Sequence, residues 1–199
     1  MYIARILYPV EVLGPGKRIG IWFCGCPRRC PGCSNPELWE FQEKYRVSAD
    51  DLMALIEAVA ENHRVDGFTL TGGDPFYQRE ALEALLPRLA AISSDILVYT
   101  GYQRQELGAL PPEIGVLIDG PYLRERNNGC PLRGSDNQQL YILHPELEAR
   151  YDAYLRRENR IQNFTAADGI VSVGIHRPDY EPSLREVIAQ YQKSEVSYV

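Results

Sequence analysis

The sequence has little positive charge, no long apolar run and no pair of histidine or carboxylate side chains at the spacing of an acid–base catalyst. Its 199 residues contain 21 Lys and Arg against 27 Asp and Glu, a net charge of −6, whereas a nucleic-acid surface normally shows a basic stripe. No stretch approaches the ~20 apolar residues of a membrane span, and the first residues contain no signal-peptide core. We therefore expect no nucleic-acid partner, no membrane partner and a cytoplasmic location.

The sequence also lacks a disulfide pattern. It has five cysteines, an odd number, and four of them fall within residues 24–33. Such clustering favours free thiols in a reducing compartment. The length predicts one domain, with or without an appendage, and it is too short for a complete eightfold β/α barrel of ~250 residues.

The most informative stretch is the cysteine segment, in which Cys26, Cys30 and Cys33 have the spacing C-x3-C-x2-C. Thiolates are good ligands for iron and zinc. A cubane cluster usually takes four cysteines, one per iron, so three leave one iron with an open position for chemistry. A zinc site with Cys24 as fourth ligand is the alternative, although the spacing does not split into the two separated halves of common zinc sites. Cys24 is more simply interpreted as a small buried hydrophobe.

Short apolar runs predict parallel strands near residues 18–24, 67–71, 96–100 and 116–119, and helical segments between them predict a βα repeat. A helix with a capping-box start is predicted from Ser48, and a second one follows Pro75, with Pro87 expected to kink or end it. The predicted fold class is therefore α/β. Before the first of these strands, the Gly14-Pro15-Gly16 turn is either a close approach to a ligand or a plain turn.

Polar and glycine-rich segments follow the predicted strands, at the edge where such sheets bind ligands. In Gly72-Gly73-Asp74-Pro75, Asp74 can cap the next helix. Alternatively, the glycines let backbone carbonyls reach an ammonium group and Asp74 adds charge. Thr100-Gly101-Tyr102 and Asp119-Gly120 are expected at the same edge.

Taken together, these segments resemble the radical S-adenosylmethionine superfamily, and within it the activating enzymes of anaerobic ribonucleoside-triphosphate reductase. The match runs in order from about residue 5 to residue 143. The matching segments are Gly14-Pro15-Gly16, Gly25-Cys26, Cys30-Pro31-Gly32-Cys33, Gly72-Gly73-Asp74-Pro75, Thr100-Gly101-Tyr102, Asp119-Gly120 and Arg133-Gly134-Ser135-Asp136-Asn137-Gln138.

The resemblance implies a partial (β/α) barrel and a set of site residues. A 4Fe-4S cluster would be bound by Cys26, Cys30 and Cys33. The methionyl amine of S-adenosylmethionine would be bound by Gly72, Gly73 and Asp74. The edge where adenosine or substrate sits would include Thr100, Tyr102, Asp119 and Arg133.

The resemblance also implies the reaction. S-adenosylmethionine would be cleaved reductively to methionine and a 5′-deoxyadenosyl radical, which removes a hydrogen atom from a glycine of the reductase. The expected partners are such a glycyl radical enzyme and an electron donor such as flavodoxin or ferredoxin. Another protein, peptide or small-molecule substrate is the alternative, and a non-catalytic zinc or iron–sulfur binding module is a third possibility.

Two departures from the family pattern stand out. Gly32 occupies the position before the third cysteine where many superfamily members place an aromatic residue against the adenine, so the adenine contact has no assigned residue. Residues 144–199 extend beyond a core of residues 1–143, with a hairpin around Asp168-Gly169 and a closing helix marked by Leu184, Val187, Ile188 and Tyr191. We expect this extension to pack on the core. We also expect a bound partner to exclude water, because little chain is left for a lid.

Overall fold

Six strands form one sheet and follow one another across it in chain order. The computed structural model describes residues 1–166, 169–177 and 180. The strands are β1 (Ile3–Val10), β2 (Arg18–Phe23), β3 (Gly67–Gly72), β4 (Ile96–Tyr99), β5 (Val116–Asp119) and β6 (Gln139–Ile142). Strands β2 to β5 are parallel, and β1 and β6 pair antiparallel at the two edges. The four predicted strands and the α/β class, with a mostly parallel sheet, are thus confirmed.

One face of the sheet is covered by α1 (Ala49–Asn62) and α2 (Arg79–Ala90). The predicted start of α1 is confirmed, because the Ser48 side chain accepts a hydrogen bond from the Asp51 backbone N–H at 3.0 Å. Pro87 lies inside α2 and does not end it. Leu89, one residue before the end of the helix, is fully buried. Its burial stabilises the last turn and offsets the loss of the hydrogen bond that Pro87 cannot donate.

The predicted βα alternation is wrong after β4. The segment between β4 and β5 contains only a short 3-10 helix, Arg104–Glu106, and otherwise runs as loop. Gly108, Pro111 and Pro112 explain the difference, since glycine favours turns and proline cannot continue an α-helix.

The other face of the sheet is covered by α3 (Glu148–Leu155), whose Tyr151 packs with Leu97, Val116 and Ile118. The first helix of the extension thus lies on the sheet. The boundary between a core and an extension at residues 143 and 144 stays a prediction.

A buried ionic network lies at the amino ends of the parallel strands. The Arg18 guanidinium is fully buried and pairs with Asp95 at 3.0 Å, and the Tyr151 hydroxyl donates to the same carboxylate at 2.7 Å. The Pro15 carbonyl accepts a hydrogen bond from Arg18 at 3.2 Å, and a side chain on Gly14 (φ +130°) would collide with the Arg18 side chain. Gly14-Pro15-Gly16 is therefore a structural turn at the edge of the sheet away from the predicted site.

Strands β7 (Ile161–Ala166) and β8 (Gly169–Gly174) form the predicted hairpin as a separate two-stranded sheet. Val173 anchors it, because this side chain is 3% exposed and packs with Val10, Leu13 and Trp22, among others. Asp168 and the predicted closing helix at Leu184, Val187, Ile188 and Tyr191 lie outside the described residues. Within the described part of the chain, no helix is both long and apolar enough to span a bilayer.

Candidate active site

A cavity lies at the carboxyl ends of the parallel strands, where the sequence predicts the site. It encloses about 1070 Å³ of space, part of it open to solvent. Its walls include the cysteine loop, Gly72-Gly73 after β3, Thr100-Gly101 after β4, Gly120 after β5 and Gly134 with Gln138 in the following loop. The structure therefore brings together segments of five of the predicted motifs, because the carboxyl ends of neighbouring parallel strands share one edge.

The cysteine loop is held in place by its own backbone. The Gly25 N–H donates to the Leu38 carbonyl at 2.7 Å, and the Cys26 N–H donates to the Trp39 carbonyl at 2.9 Å. Gly25 has φ +98°, and a Cβ there would lie 2.4 Å from the Phe41 ring, so glycine is required at this turn. Backbone hydrogen bonds and a left-handed glycine thus fix the start of the loop.

Three of the four clustered cysteines face the cavity. Cys26, Cys30 and Cys33 line it and are half-buried. Cys24 is fully buried away from it and donates its S–H to the Glu40 carbonyl at 2.8 Å. This placement fits the interpretation of Cys24 as a buried hydrophobe and removes the fourth ligand of the zinc alternative. Cys130 does not line this cavity or a second cavity beside the hairpin.

The chemistry of this trio fits an iron–sulfur cluster. Among the described residues, no three or more His, Cys, Asp or Glu side chains are placed to bind one metal ion together. A cubane cluster has a different requirement, because it takes only one thiolate at each iron. Burial raises the pKa of the Cys26 and Cys33 thiols, so both stay protonated until a metal displaces the proton.

Trp39 supplies a second sign of fit. Its indole N–H is buried beside Cys33 and offsets part of the rise that burial causes in the pKa of that thiol, yet it makes no hydrogen bond of normal geometry within the described structure. A buried donor without an acceptor is costly. Cluster or thiolate sulfur would provide that acceptor.

The Gly-Gly-Asp-Pro turn is joined directly to the cysteine loop. The Gly73 N–H donates to the Phe23 carbonyl at 2.7 Å, and the Asp74 N–H donates to the Gly25 carbonyl at 2.8 Å. A Cβ on Gly73 would lie 2.4 Å from the Gly25 oxygen, which explains the glycine by close backbone approach. Gly72 and Gly73 both line the cavity, and their predicted contact with the methionyl amine stays a prediction.

The Asp74 carboxylate points elsewhere. It is fully buried, is not among the residues that line the cavity, and accepts hydrogen bonds from the Phe76 N–H at 3.0 Å, the Gly101 N–H at 2.8 Å and the Thr100 hydroxyl at 3.0 Å. It caps the 3-10 helix Pro75–Gln78, as the simpler interpretation predicts. Burial raises the pKa of Asp74 to about 6, although these hydrogen bonds act in the opposite direction and lower it. Asp74 therefore acts on the cavity through Gly101 and Thr100, and a direct contact with the amine stays a prediction.

Of the two residues predicted from Thr100-Gly101-Tyr102, only Thr100 lines the cavity. The Tyr102 ring does not line the cavity, and the guanidinium carbon of Arg28 lies over it, 4.7 Å from the centroid of the ring. Arg28 itself does line the cavity and pairs with both carboxylate oxygens of Glu106, at 2.6 and 2.7 Å. Arg28 thus clamps the cysteine loop to the loop after β4, a role that the Arg28-Arg29 doublet does not reveal in the sequence.

Asp119 and Arg133 also lie outside the cavity wall. The buried Asp119 carboxylate accepts from the Arg104 N–H at 2.6 Å and from the Gln139 N–H at 3.2 Å. The Arg133 guanidinium donates to the Gln138 carbonyl at 3.3 Å. Both side chains satisfy backbone groups of the loops beside the site, and their predicted contacts with adenosine or substrate stay predictions.

The hairpin supplies a wall that the sequence does not predict. Ser172, Val173, Gly174, Ile175 and His176 all line the cavity. The expectation that little chain is left to cover the site is therefore wrong, because the extension folds back over it. Nothing in the local pattern of residues 161–177 indicates this placement, which depends on contacts with β1 and β2.

Comparison with known proteins agrees with this site. Residues 12–141 match the model of a family described as a 4Fe-4S single cluster domain. The anaerobic ribonucleoside-triphosphate reductase-activating protein of Enterobacteria phage T4 is 32% identical over 142 residues, covering 68% of this chain and 90% of that protein. Its counterpart in Escherichia coli (strain K12) is 31% identical over 149 residues, covering 68% of this chain and 96% of that protein.

Two other proteins match less of the chain. The pyruvate formate-lyase-activating enzyme of Staphylococcus epidermidis is 35% identical over 92 residues, covering 43% of this chain and 37% of that enzyme. The crystal structure of QueE from Escherichia coli covers 61% of this chain and 60% of its own chain, with a TM-score of 0.46 and 21% identity, a likeness too low to carry weight.

The family match covers about two thirds of the chain and includes the three cysteines that line the cavity. It confirms the predicted family, the predicted enzyme class and the predicted cofactors, a 4Fe-4S cluster and S-adenosylmethionine. The chain belongs to the family of anaerobic ribonucleoside-triphosphate reductase-activating proteins, built on a 4Fe-4S single cluster domain.

Proposed function

We propose that this protein generates a glycyl radical on a partner enzyme, most specifically on an anaerobic ribonucleoside-triphosphate reductase. The observation that carries the proposal is the meeting of Cys26, Cys30 and Cys33 with Gly72 and Gly73 in one cavity. Three thiols leave one iron of a cubane without a protein ligand. The neighbouring glycines offer backbone to the molecule that completes it.

The cofactors supply the radical chemistry and the protein supplies position and shielding. When bound, the cluster supplies one electron for cleaving S-adenosylmethionine to methionine and a 5′-deoxyadenosyl radical, which takes a hydrogen atom from the glycine Cα. Cys26, Cys30 and Cys33, which line the cavity, would hold the cluster. Thr100 and Gly101 form the facing wall, and the Asp74 carboxylate holds both in position.

The hairpin contributes by excluding water. Val173 and Ile175 add apolar surface to the cavity opposite the cysteine loop, and Val173 is nearly inaccessible to solvent. A radical that removes hydrogen atoms needs such shielding from side reactions. The partner enzyme closes the remaining opening.

The electron donor in this scheme is a small redox protein such as flavodoxin or ferredoxin, and the reaction takes place in the cytoplasm. Support for both comes from the type of reaction and from the free thiols of the sequence. Neither the donor nor the location is tested by the fold, and both stay predictions.

A matched pair of variants tests the proposal. Wild-type protein reconstituted under anaerobic conditions should bind about four irons per chain, by the cubane stoichiometry, and release 5′-deoxyadenosine from S-adenosylmethionine when dithionite is added. Cys30→Ser should lose both, whereas Cys130→Ser, which lies outside both cavities, should keep both. Unchanged iron and nucleoside release in Cys30→Ser would refute the assignment of the site.

The partner is tested separately. After the protein is mixed with the anaerobic reductase of the same cell, electron spin resonance should show a glycyl doublet on the reductase. Nucleoside release without the doublet would favour a second function, the same radical chemistry on another protein. The position of the hairpin is the observation that favours this second function. The hairpin lines the cavity, but it lies beyond the residues that the family model matches.

A further inference from the structure

A second cavity lies beside the first, between the cysteine loop and the hairpin. It is lined by residues of the cysteine loop and the segment after it, by Tyr122 and Arg124, and by both ends of β8. Six residues line both cavities: Cys33, Ser34, Asn35, Tyr122, Ser172 and His176. The two cavities are therefore neighbours that share these residues, and together they are called the groove, which lies between the hairpin and the cysteine loop.

The hairpin side of this groove is a fixed wall. The Gln162 side chain accepts from the Glu11 N–H at 3.0 Å and donates to the Pro9 carbonyl at 2.7 Å, which ties β7 to the end of β1. The Asn127 amide donates to the His176 carbonyl at 2.7 Å, which ties the end of β8 to the loop before β6. A wall held at both ends, with Val173 buried between them, has a set distance from the cysteine loop.

The outer part of the groove is basic although the whole chain is acidic. Arg124 and Arg177 line it, both side chains are exposed, and neither forms an ion pair with any residue that the structure describes. The other charges on this wall, Arg5 and Glu37, neutralise each other in an ion pair of 2.8 Å. Two positive charges that form no ion pair within the described residues, in a chain with net charge −6, favour an acidic ligand at this place.

The shape of the groove favours a polypeptide. A glycine Cα carries no side chain, so it reaches the inner end of a walled groove only if the backbone on either side of it lies extended along the walls. Arg124 also lies against the cysteine loop, since a Cβ on Gly32 would be 3.0 Å from the Arg124 side chain. A carboxylate paired with Arg124 would therefore sit within a few residues of the reacting glycine.

We propose that this groove binds an extended acidic segment of the partner protein, with Arg124 and Arg177 pairing with its carboxylates and the β7–β8 hairpin selecting which partner is admitted. This inference rests on the proposed function, because the segment is the one that carries the glycine. The hairpin lies outside residues 12–141, the part of the chain that the family model matches, so the proposed selection is not a feature of that model.

Charge reversal provides the first test. In calorimetric titration of the reconstituted protein with the anaerobic reductase of the same cell, Arg124→Glu and Arg177→Glu should each raise the dissociation constant about tenfold at low salt. Arg156→Glu is the matched control, because Arg156 is also exposed but lines neither cavity, and it should leave binding unchanged. Arg177→Glu and Arg156→Glu should keep wild-type iron content and partner-free release of 5′-deoxyadenosine, so that a loss of partner binding in Arg177→Glu is separable from damage to the site.

Photocrosslinking provides the second test. A benzoylphenylalanine at Ile170, which lines the groove and is 75% exposed, should crosslink to a glycine-bearing peptide of the reductase. The same group at Leu55, a 51% exposed position on α1, should not.

The outcomes separate this inference from the proposed function. Weaker binding by the two groove variants alone, with a crosslink from position 170, supports the groove. Equal binding by all three variants, no binding by the wild type, or a crosslink from position 55 only would overturn it. Normal binding without a glycyl doublet would instead refute the proposed function and leave the groove in place.

Discussion

The ionisation of Asp74 should weaken the fold between pH 4 and pH 6, in contrast to the usual behaviour of a native carboxylate. Burial raises the pKa of Asp74 from 3.8 to about 6, so over this range the folded protein binds a proton that the unfolded chain has released. The stability contributed by the protonated group is complete below pH 3.8 and is lost as the pH rises through about 6.

The size of the effect follows from the same numbers. A tenfold change in proton affinity corresponds to about 1.4 kcal/mol, so the increase in pKa corresponds to about 3 kcal/mol of unfolding free energy. In Asp74→Asn this contribution is absent at every pH, while the contacts of the amide do not change with pH. The difference in unfolding free energy between wild type and Asp74→Asn should therefore move by about 2 kcal/mol in favour of the wild type between pH 7 and pH 4, and by the remainder below pH 4.

Urea unfolding of the metal-free protein at a series of pH values measures this difference. Asp66→Asn is a control of opposite sign. Burial alone would raise the pKa of Asp66, but hydrogen bonds from the Lys17 N–H and the Arg64 guanidinium lower it, so here the wild type should lose stability relative to its variant as the pH falls. A wild-type and an Asp74→Asn profile that stay parallel from pH 7 to pH 4 would show that burial does not perturb this carboxyl group.

Three further predictions follow from the packing. Val173→Ala removes buried methyl groups and should cost the hairpin about 1–3 kcal/mol, seen as faster hydrogen exchange in β7 and β8 with the six-stranded sheet unaffected. Asp95→Asn leaves Arg18 buried without its counter-charge and should lower the unfolding free energy by about 3–5 kcal/mol in urea, whereas Asp50→Asn, which breaks an exposed pair, should cost under ~1 kcal/mol. Trp39→Phe removes the buried indole N–H beside the cysteine trio and should make the midpoint potential of the cluster more negative in a spectroelectrochemical titration; an unchanged potential would show that this N–H does not reach sulfur.

The placement of the cysteine trio and of the glycine turn was predictable because two local rules suffice. Cysteine spacing indicates the ligand set, and parallel strands bring their carboxyl ends to one edge. Cys26 and Gly73 meet for these reasons, and the antiparallel edge strands β1 and β6 do not disturb the edge.

The directions of the polar side chains were not predictable. Asp74 and Asp119 follow strands as expected, but each carboxylate turns towards unpaired backbone N–H groups of a neighbouring loop, those of Gly101 and of Arg104. Which N–H groups lack a partner depends on how several loops pack, and the sequence of one loop does not contain that information.

The hairpin shows the same limit on a larger scale. Its turn chemistry is local and indicates two paired strands. Its position over the cavity depends on Val173 joining side chains of β1 and β2 that are more than 150 residues away in the chain. Tertiary packing of this kind leaves no periodic signal.

The way in which the cysteine loop is fastened has a consequence for changes in its length. Amide-to-carbonyl bonds from Gly25 to Leu38 and from Cys26 to Trp39 hold the two ends of the loop side by side. An insertion within residues 27–37 can therefore be accommodated only by outward bulging, which would displace Cys30 and Cys33 and leave Cys26 in place.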